Sequence, residues 1–358
     1  MYWFTMYYFK RLYILFFILA LNIFFFSTTK VKAKSFEVNN IEISKPFQNN
    51  FNKNSVIDIG FKKAFYELVN TLVKSSDFKK IDEAKLNEIR GMIDSFSIKE
   101  EKFINETYHV KLGVSFNKKK IFYYLEKKNI FPSQIIKENF LFIPIIIDEK
   151  NNDLKIFSNN KIYDNWNKIT KKYHLINYVL PAEDLEDLRL IKSKYEMIEK
   201  YDFKEIIKKY FLDNSIIMLI FKNEQNVRIL SKIITKDTVV IKNDTFPNLE
   251  LGNYEEIEFL INKLKNTYED TWKEKNQINT SIKLPLIVRV DHTNSYKLIE
   301  FEKILNELDM VSYHAIDKLN KKHTFYKIIF NGSSSNFINI MKNKNYLFDT
   351  QNKIWILK

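Results

Sequence analysis

The chain has 358 residues, with 57 Lys or Arg against 44 Asp or Glu, and a formal net charge of +13. Hydrophobic residues make up 45% and aromatic residues 15%, whereas Gly and Pro number only 5 and 6, which excludes a largely disordered or collagen-like chain. The sequence has no Cys, so disulfides, thiolate nucleophiles and Cys-ligated metal centres are excluded as well.

The first 33 residues have the pattern of an export signal. Lys10 and Arg11 precede residues 12–26, which are apolar with one exception. Small residues follow, and we expect cleavage between Ala33 and Lys34. The apolar stretch is shorter than the roughly 20 residues of a membrane-spanning helix, which favours a cleaved signal peptide and a periplasmic protein. The alternative is an uncleaved segment that anchors the protein in the inner membrane, and membrane contact is expected only in that case.

The basic charge does not predict a nucleic-acid partner. Only 5 of the 57 basic residues are Arg, the residue that makes bidentate contacts to bases and phosphates. A Lys-rich surface on an exported protein fits solubility or loose attraction to anionic envelope surfaces.

Residues 34–132 are predicted to form a first domain of strand-helix-strand-strand-helix order. Residues 36–43 suggest a strand, and apolar residues between Ile57 and Leu72 recur at steps of three and four, as in an amphipathic helix. Residues 108–116 alternate strictly between apolar and other residues, as in a half-buried strand.

Residues 133–280 are predicted to form a mixed α/β domain. Residues 140–147 are continuously apolar, as in a strand covered on both faces. Strands are expected at 175–180, 215–221 and 227–234, and the last two should form a hairpin. One apolar stripe from Ile257 to Trp272 predicts a long amphipathic helix that ends the domain.

Residues 281–358 alternate strands and helices in the order strand-helix-strand-strand-helix-strand. This is the order of a ferredoxin-like βαββαβ domain, with two helices on one face of a four-stranded antiparallel sheet. The overall prediction is therefore a multidomain α+β protein with a mixed α/β middle region and a ferredoxin-like C-terminal domain.

The densest polar cluster is Glu183, Asp184, Glu186 and Asp187, directly after Pro181. It is a weak candidate for a cation site or for a general acid and base. Acids at the start of a helix also complement the helix dipole without any ligand, and this second interpretation is favoured. In it the helix begins at Pro181, and two leucines, at positions 185 and 188, face the core.

Asp291 and His292 follow a predicted strand and form a second weak candidate site, together with His314 and His323. No nucleophile with a suitable sequence context accompanies them. Glycine-rich phosphate loops and HExxH spacing are absent from the sequence. No catalytic residue, no metal ligand and no cofactor are therefore predicted.

Short landmarks along the mature chain, taken in order, resemble domain-of-unknown-function family two thousand and sixty-six. The resemblance implies an exported proteobacterial protein without a catalytic motif to carry over, and it would cover nearly the whole mature chain. The landmarks are Phe61–Phe65, Phe142–Pro144, Asp164–Trp166, Leu180–Leu188, Trp272–Lys273, Leu286–Val290, Ile328–Gly332 and Ile354–Leu357.

The leading functional hypothesis is a non-enzymatic binding, assembly or adaptor module of the periplasm. It would bind another envelope protein through exposed sheet edges or grooves between domains. The alternatives are a small-ligand-binding protein or hydrolase with an interdomain site, and the same protein anchored in the inner membrane.

Overall fold

Three β-sheets, each accompanied by helices, organise the part of the chain that the structure describes. The computed structural model describes residues 36–223, 226–291 and 295–358, and residues 36–358 form one compact unit. The proposed cleavage site at Ala33 and Lys34 therefore lies outside the described residues. The combination of several sheets and helices confirms the predicted α+β class.

The first sheet has the order β1-β3-β2, with both neighbouring pairs antiparallel. Asn52 caps the long helix α1, because its side chain accepts hydrogen bonds from the backbone of Asn54 and Ser55. The elements of this region are β1 (Phe36–Pro46), α1 (Lys53–Leu72), α2 (Leu86–Met92), β2 (Ile93–Ile104), β3 (Thr107–Phe116) and α3 (Lys118–Lys127).

A glycine lets α1 approach this sheet closely. A Cβ atom built at Gly60 would lie 2.4 Å from Cδ1 of Leu112 on β3. Leu112 is fully buried, and the same Cβ atom would lie 3.7 Å from Cγ1 of Ile43 on β1. The helix thus packs directly on β1 and β3.

The second sheet has the path β5-β4-β7-β8-β9, and β6 pairs parallel with the first residues of β4. The predicted hairpin of β7 and β8 is confirmed as an antiparallel pair. The elements of this region are β4 (Glu138–Asp148), β5 (Asp153–Lys155), α4 (Lys161–Trp166), β6 (Ile176–Val179), α5 (Leu185–Ser193), α6 (Lys204–Lys209), β7 (Ser215–Lys222), β8 (Asn226–Ile234), β9 (Val239–Pro247) and α7 (Tyr254–Lys275).

Strand β4 is covered on both faces, as its continuous apolar run predicts. Phe140 and Phe142 belong to the core between the sheet and α7, whereas Leu141 and Ile143 belong to the core on the opposite face. On the α7 side the ring of Phe142 stacks on that of Trp166 at a centroid distance of 3.9 Å.

The third sheet differs from the predicted ferredoxin-like arrangement. It has five strands in the order β11-β12-β10-β14-β13, and β14 runs parallel to β10. The short extra strand β13 is the cause, because it pairs antiparallel with β14 and so reverses the chain once more before the last strand. The elements are β10 (Leu284–Asp291), α8 (Ser295–Glu307), β11 (Val311–Leu319), β12 (His323–Phe330), α9 (Ser334–Lys342), β13 (Phe348–Asp349) and β14 (Ile354–Leu357).

The region of the first sheet (β1–β3) and the region of the third sheet (β10–β14) share one hydrophobic core. The middle region, which holds the second sheet, separates them in sequence. The two segments that enter and leave the middle region run side by side. The backbone N–H of Ile278 donates to the carbonyl of Pro132 at 2.7 Å, and that of Gln134 donates to the carbonyl of Asn276 at 2.9 Å. The predicted domain boundaries near 132 and 280 remain predictions.

Within the described ranges, none of the helices combines the length and the apolar character that crossing a membrane requires.

Candidate functional site

Strand β2 forms a free, apolar edge of the first sheet. Within the described residues no strand pairs with its outer side. Its exposed apolar side chains are Phe96 (47% exposed), Ile98 (38%), Phe103 (56%) and Ile104 (50%). We call these four side chains, together with the neighbouring Phe47, the β2 edge.

Three side chains of the β2 edge lie on the helix-facing side of the sheet. Phe96, Ile98 and Phe103 are the register partners of residues on β3 that are buried beneath α1, and directly opposite residues share one face. The helix shields β3, whereas on β2 it contacts Phe96 through Phe61, whose ring meets that of Phe96 edge-on at 5.0 Å. The hydrophobic core therefore continues onto an open surface.

Aromatic rings extend the β2 edge around the end of the sheet. Phe47 follows β1, is 53% exposed, and meets Phe103 edge-on at 4.8 Å. Phe51 packs against Phe47 at 4.8 Å and against Tyr108 at 5.1 Å. Aromatic residues provide a large contact area for a small loss of conformational entropy, which suits a recognition surface.

The charge of Glu101, which lies between the apolar side chains of the β2 edge along the strand, is compensated by a neighbouring lysine. Glu101 accepts hydrogen bonds from Lys53 at 2.7 Å and from the hydroxyl of Tyr108 at 3.0 Å. These bonds, chiefly the one from Lys53, lower the pKa of the Glu101 carboxyl, and the bond to Glu101 raises the pKa of Lys53. The helix-facing side of the edge thus presents apolar groups and a compensated ion pair.

Two residues of the acidic cluster, Asp184 and Asp187, are paired with a lysine. Asp184 caps α5, since its side chain accepts a hydrogen bond from the backbone N–H of Glu186 at 2.7 Å. The ammonium group of Lys209 lies 3.0 Å from Asp184 and 2.6 Å from Asp187. The hydrogen bond from Lys209 lowers the pKa of Asp184. Glu183 and Glu186 take no part in this contact. The hydrogen bond of Asp184 agrees with the capping interpretation, and a ligand site at the cluster stays a prediction.

The prediction for the orientation of α5 is wrong in two details. The helix begins at Leu185 and not at Pro181, and the side chain of Leu185 is 70% exposed. Asp187 is buried instead, because Lys209 from α6 compensates its charge. Leu188 packs against the core, as predicted.

The carboxylate of Asp291, at the end of β10, lies beside two basic side chains. It lies 3.2 Å from Nε2 of His323 and 3.6 Å from Nε of Arg289. His314 instead contacts the side chain of Asn306 at 2.9 Å. His292 lies outside the described residues, so this candidate site stays a prediction. The described ranges contain no group of three or more His, Asp or Glu residues arranged to hold a metal ion.

Sequence reasoning missed a row of buried charges on α7. Lys265, Glu269 and Lys273 are each at most 3% exposed. Glu269 accepts hydrogen bonds from two backbone N–H groups at 2.9 and 3.0 Å, and Lys273 donates to two carbonyls at the end of α1 at 2.6 and 3.1 Å. Burial raises the pKa of Glu269 and lowers that of Lys273. Their spacing of four residues, next to the apolar stripe, is the sequence signal for this row.

The comparison with known proteins found a relative described as a chaperone. It is named "Putative chaperone PpiD" and comes from Buchnera aphidicola subsp. Baizongia pistaciae (strain Bp). The two sequences are 23% identical over 317 residues, an alignment that covers 73% of this chain. The chain spans 62% of that relative's length.

No family model matches the chain. The resemblance to domain-of-unknown-function family two thousand and sixty-six therefore stays a prediction.

Proposed function

We propose that the protein is an exported, non-enzymatic binding module of chaperone or adaptor type. It holds extended apolar segments of other envelope polypeptides along the β2 edge. The observation that carries this proposal is the free strand β2, whose apolar side chains continue the protein's own core onto an open surface.

An unpaired strand edge offers a row of backbone N–H and C=O groups to another extended chain. β2 has 12 residues, and irregularities near Asp94 and Lys99 leave regular stretches at 95–98 and 100–104. Each stretch has room for a short added strand. Backbone pairing of this kind depends little on sequence, as a protein that binds many polypeptides requires.

Side chains supply the second part of the binding surface. In an added strand every second residue would lie on the helix-facing side, next to Phe96, Ile98 and Phe103. These positions favour apolar residues, which unfolded chains expose and folded chains bury. The β2 edge is thus suited to extended apolar segments.

The opposite edge of the same sheet is protected. In β1 the helix-facing residues are buried, and a bulge interrupts the strand at Asn39 and Asn40. Lys172 from the middle region donates to the carbonyl of Asn40 at 3.1 Å. Bulges and lysines are common devices against edge pairing, so β1 is a poor acceptor.

The relative's name supports the chaperone class, and the signal-like first 33 residues support export. We propose a periplasmic location with cleavage before Lys34, and the inner-membrane anchor is the alternative. Mass spectrometry of the native amino terminus distinguishes the two, since a mature protein that begins at Lys34 eliminates the anchor.

Binding of a permanently unfolded polypeptide tests the proposed function. The probe is fluorescein-labelled, reduced and carboxymethylated α-lactalbumin, and the readout is fluorescence anisotropy. The test variant combines Phe96→Ser and Phe103→Ser. The control combines Val239→Ser and Ile241→Ser on β9, which removes two apolar side chains that are each 61% exposed.

The expected loss follows from the exposed area. About half of each phenylalanine is exposed, or roughly 100 Å², and at about 25 cal/mol per Å² each ring contributes up to ~2.5 kcal/mol to binding. Association realises only part of this, so we expect the test variant to bind at least about tenfold more weakly and the control to change less than about twofold. Equal affinity for both variants would refute the assignment of the β2 edge.

A further inference from the structure

A cleft of about 450 Å³ in the middle region is lined by basic residues. Its volume lies within the range of small-molecule sites. Among the described residues that line it are Lys137, Lys171, Lys172, Lys265 and His174, and none of the lining residues is a carboxylate. We call this site the lysine cleft.

Lys265 is the buried charge of the lysine cleft. Its side chain is 1% exposed, and its ammonium group donates to the carbonyl of Ile169 at 2.7 Å. The same group lies over the rings of Trp166 at 5.2 Å and Tyr178 at 4.9 Å. A carbonyl and two aromatic faces position the cation without neutralising it.

The acid nearest along α7 is already engaged elsewhere. Glu269 lies one helical turn after Lys265, and its two oxygens accept hydrogen bonds from the backbone of Leu175 and Ile176. Within the described ranges, no carboxylate forms an ion pair with Lys265 within 4.0 Å. Glu269 attracts Lys265 through space without a direct contact, so the buried charge is only partly compensated, and an anion in the lysine cleft would add to this compensation.

His174 lines the cleft without contributing a positive charge. Burial, together with the charges of Lys265, Lys273 and Lys171, lowers the pKa of His174 to about 4. The backbone N–H of Lys171 donates to its Nδ1 at 3.4 Å, so this nitrogen is the acceptor of a neutral ring. The imidazole is therefore uncharged at neutral pH, and the lysines supply the charge.

We propose that the lysine cleft binds a small organic anion with at least two negative charges, carried on phosphate or carboxylate groups. Lysine ammonium groups bind such anions as point charges, and the exposed Lys137, Lys171 and Lys172 surround the entrance to the buried Lys265. This site is distinct from the β2 edge, and its occupation does not depend on the proposed polypeptide binding.

Calorimetric titration of the full mature chain tests the proposal, with pyrophosphate and citrate as probes and sorbitol as a neutral molecule of similar size. Low ionic strength is used, because salt screens exposed charges. The test variant combines Lys137→Gln and Lys171→Gln, two exposed lysines that line the cleft. The control combines Lys192→Gln and Lys200→Gln, two exposed lysines elsewhere in the middle region.

We expect both anions to bind, with the test variant at least tenfold weaker and the control changed less than twofold. Whichever probe binds more tightly identifies phosphate or carboxylate as the preferred group. In proton NMR the ring signals of His174 should shift on binding, which an anion held at the outer surface would not cause. Failure of both anions to bind, equal binding of sorbitol, or unchanged affinity in the test variant would overturn the proposal.

Discussion

Replacement of Lys265 by methionine should change how the stability of the protein depends on pH. Lys265 is almost completely buried, and burial lowers its pKa from the ordinary value of 10.5 to about 8. Lys265→Met keeps an unbranched side chain of similar length and removes the titrating group. Glu269, Lys273, His174 and Tyr178, which are titratable groups around Lys265, remain in place.

The direction of the pH dependence of stability follows from proton linkage. Between pH 8 and 10.5 the unfolded chain binds a proton at this position that the folded chain has lost, so the free energy of unfolding rises with pH. A shift from 10.5 to about 8, at 1.36 kcal/mol per pKa unit, corresponds to about 3 kcal/mol. Most of it, about 2.5 kcal/mol, should appear between pH 7 and 10.

Urea unfolding at pH 7, 8, 9 and 10, followed by tryptophan fluorescence, measures this effect. The stability of the wild type relative to Lys265→Met should increase by about 2.5 kcal/mol over this range. Lys263→Met replaces an exposed lysine on the same helix and should preserve the wild-type slope. Parallel pH profiles of the wild type and Lys265→Met would show that Lys265 is not a buried cation.

Two further pairs of variants test the packing. Gly60→Ala should destabilise the protein by about 1–3 kcal/mol in urea unfolding, because its Cβ would overlap Leu112, whereas Gly91→Ala has open space and should stabilise α2 by up to about 1 kcal/mol. Equal effects would contradict the close approach of α1 to the sheet. Leu185→Ala should change the unfolding free energy by less than about 0.5 kcal/mol, and Leu188→Ala should cost about 1–2 kcal/mol. A cost for Leu185→Ala as large as that for Leu188→Ala in thermal or urea unfolding would restore the orientation of α5 predicted from sequence, in which both leucines face the core.

Elements with a regular hydrophobic period could be predicted from the sequence. The alternation of residues 108–116 identified β3, the apolar run of 140–147 identified β4, and the stripe from Ile257 identified α7. In each case one period extends over the whole element, because one face, or both faces, of the element are buried.

Strand β2 could not be placed in this way. Its pairing register shifts near Asp94 and near Lys99, so that apolar residues do not keep one alternation. Its side chains are also mostly exposed, which removes the burial that would maintain a period. The residues most important for the proposed function thus carry the weakest sequence signal.

The wrong predictions for the third sheet and for α5 have another cause, which is contacts between residues that are far apart in sequence. The two residues of β13 are too few to show a period, yet they set the direction of β14. The orientation of α5 depends on Lys209, which lies 22 residues beyond Asp187 in sequence. A local pattern does not contain these contacts.

Hydrogen exchange measured by mass spectrometry tests the central claim most directly. The full mature chain is labelled with and without the permanently unfolded polypeptide at saturating concentration. We predict slower exchange of backbone amides in residues 93–104 on binding, because added strands pair with the outer side of β2, and no change in residues 239–247 of β9. Unchanged exchange in residues 93–104, with the polypeptide bound, would contradict the assignment of the β2 edge as the binding surface.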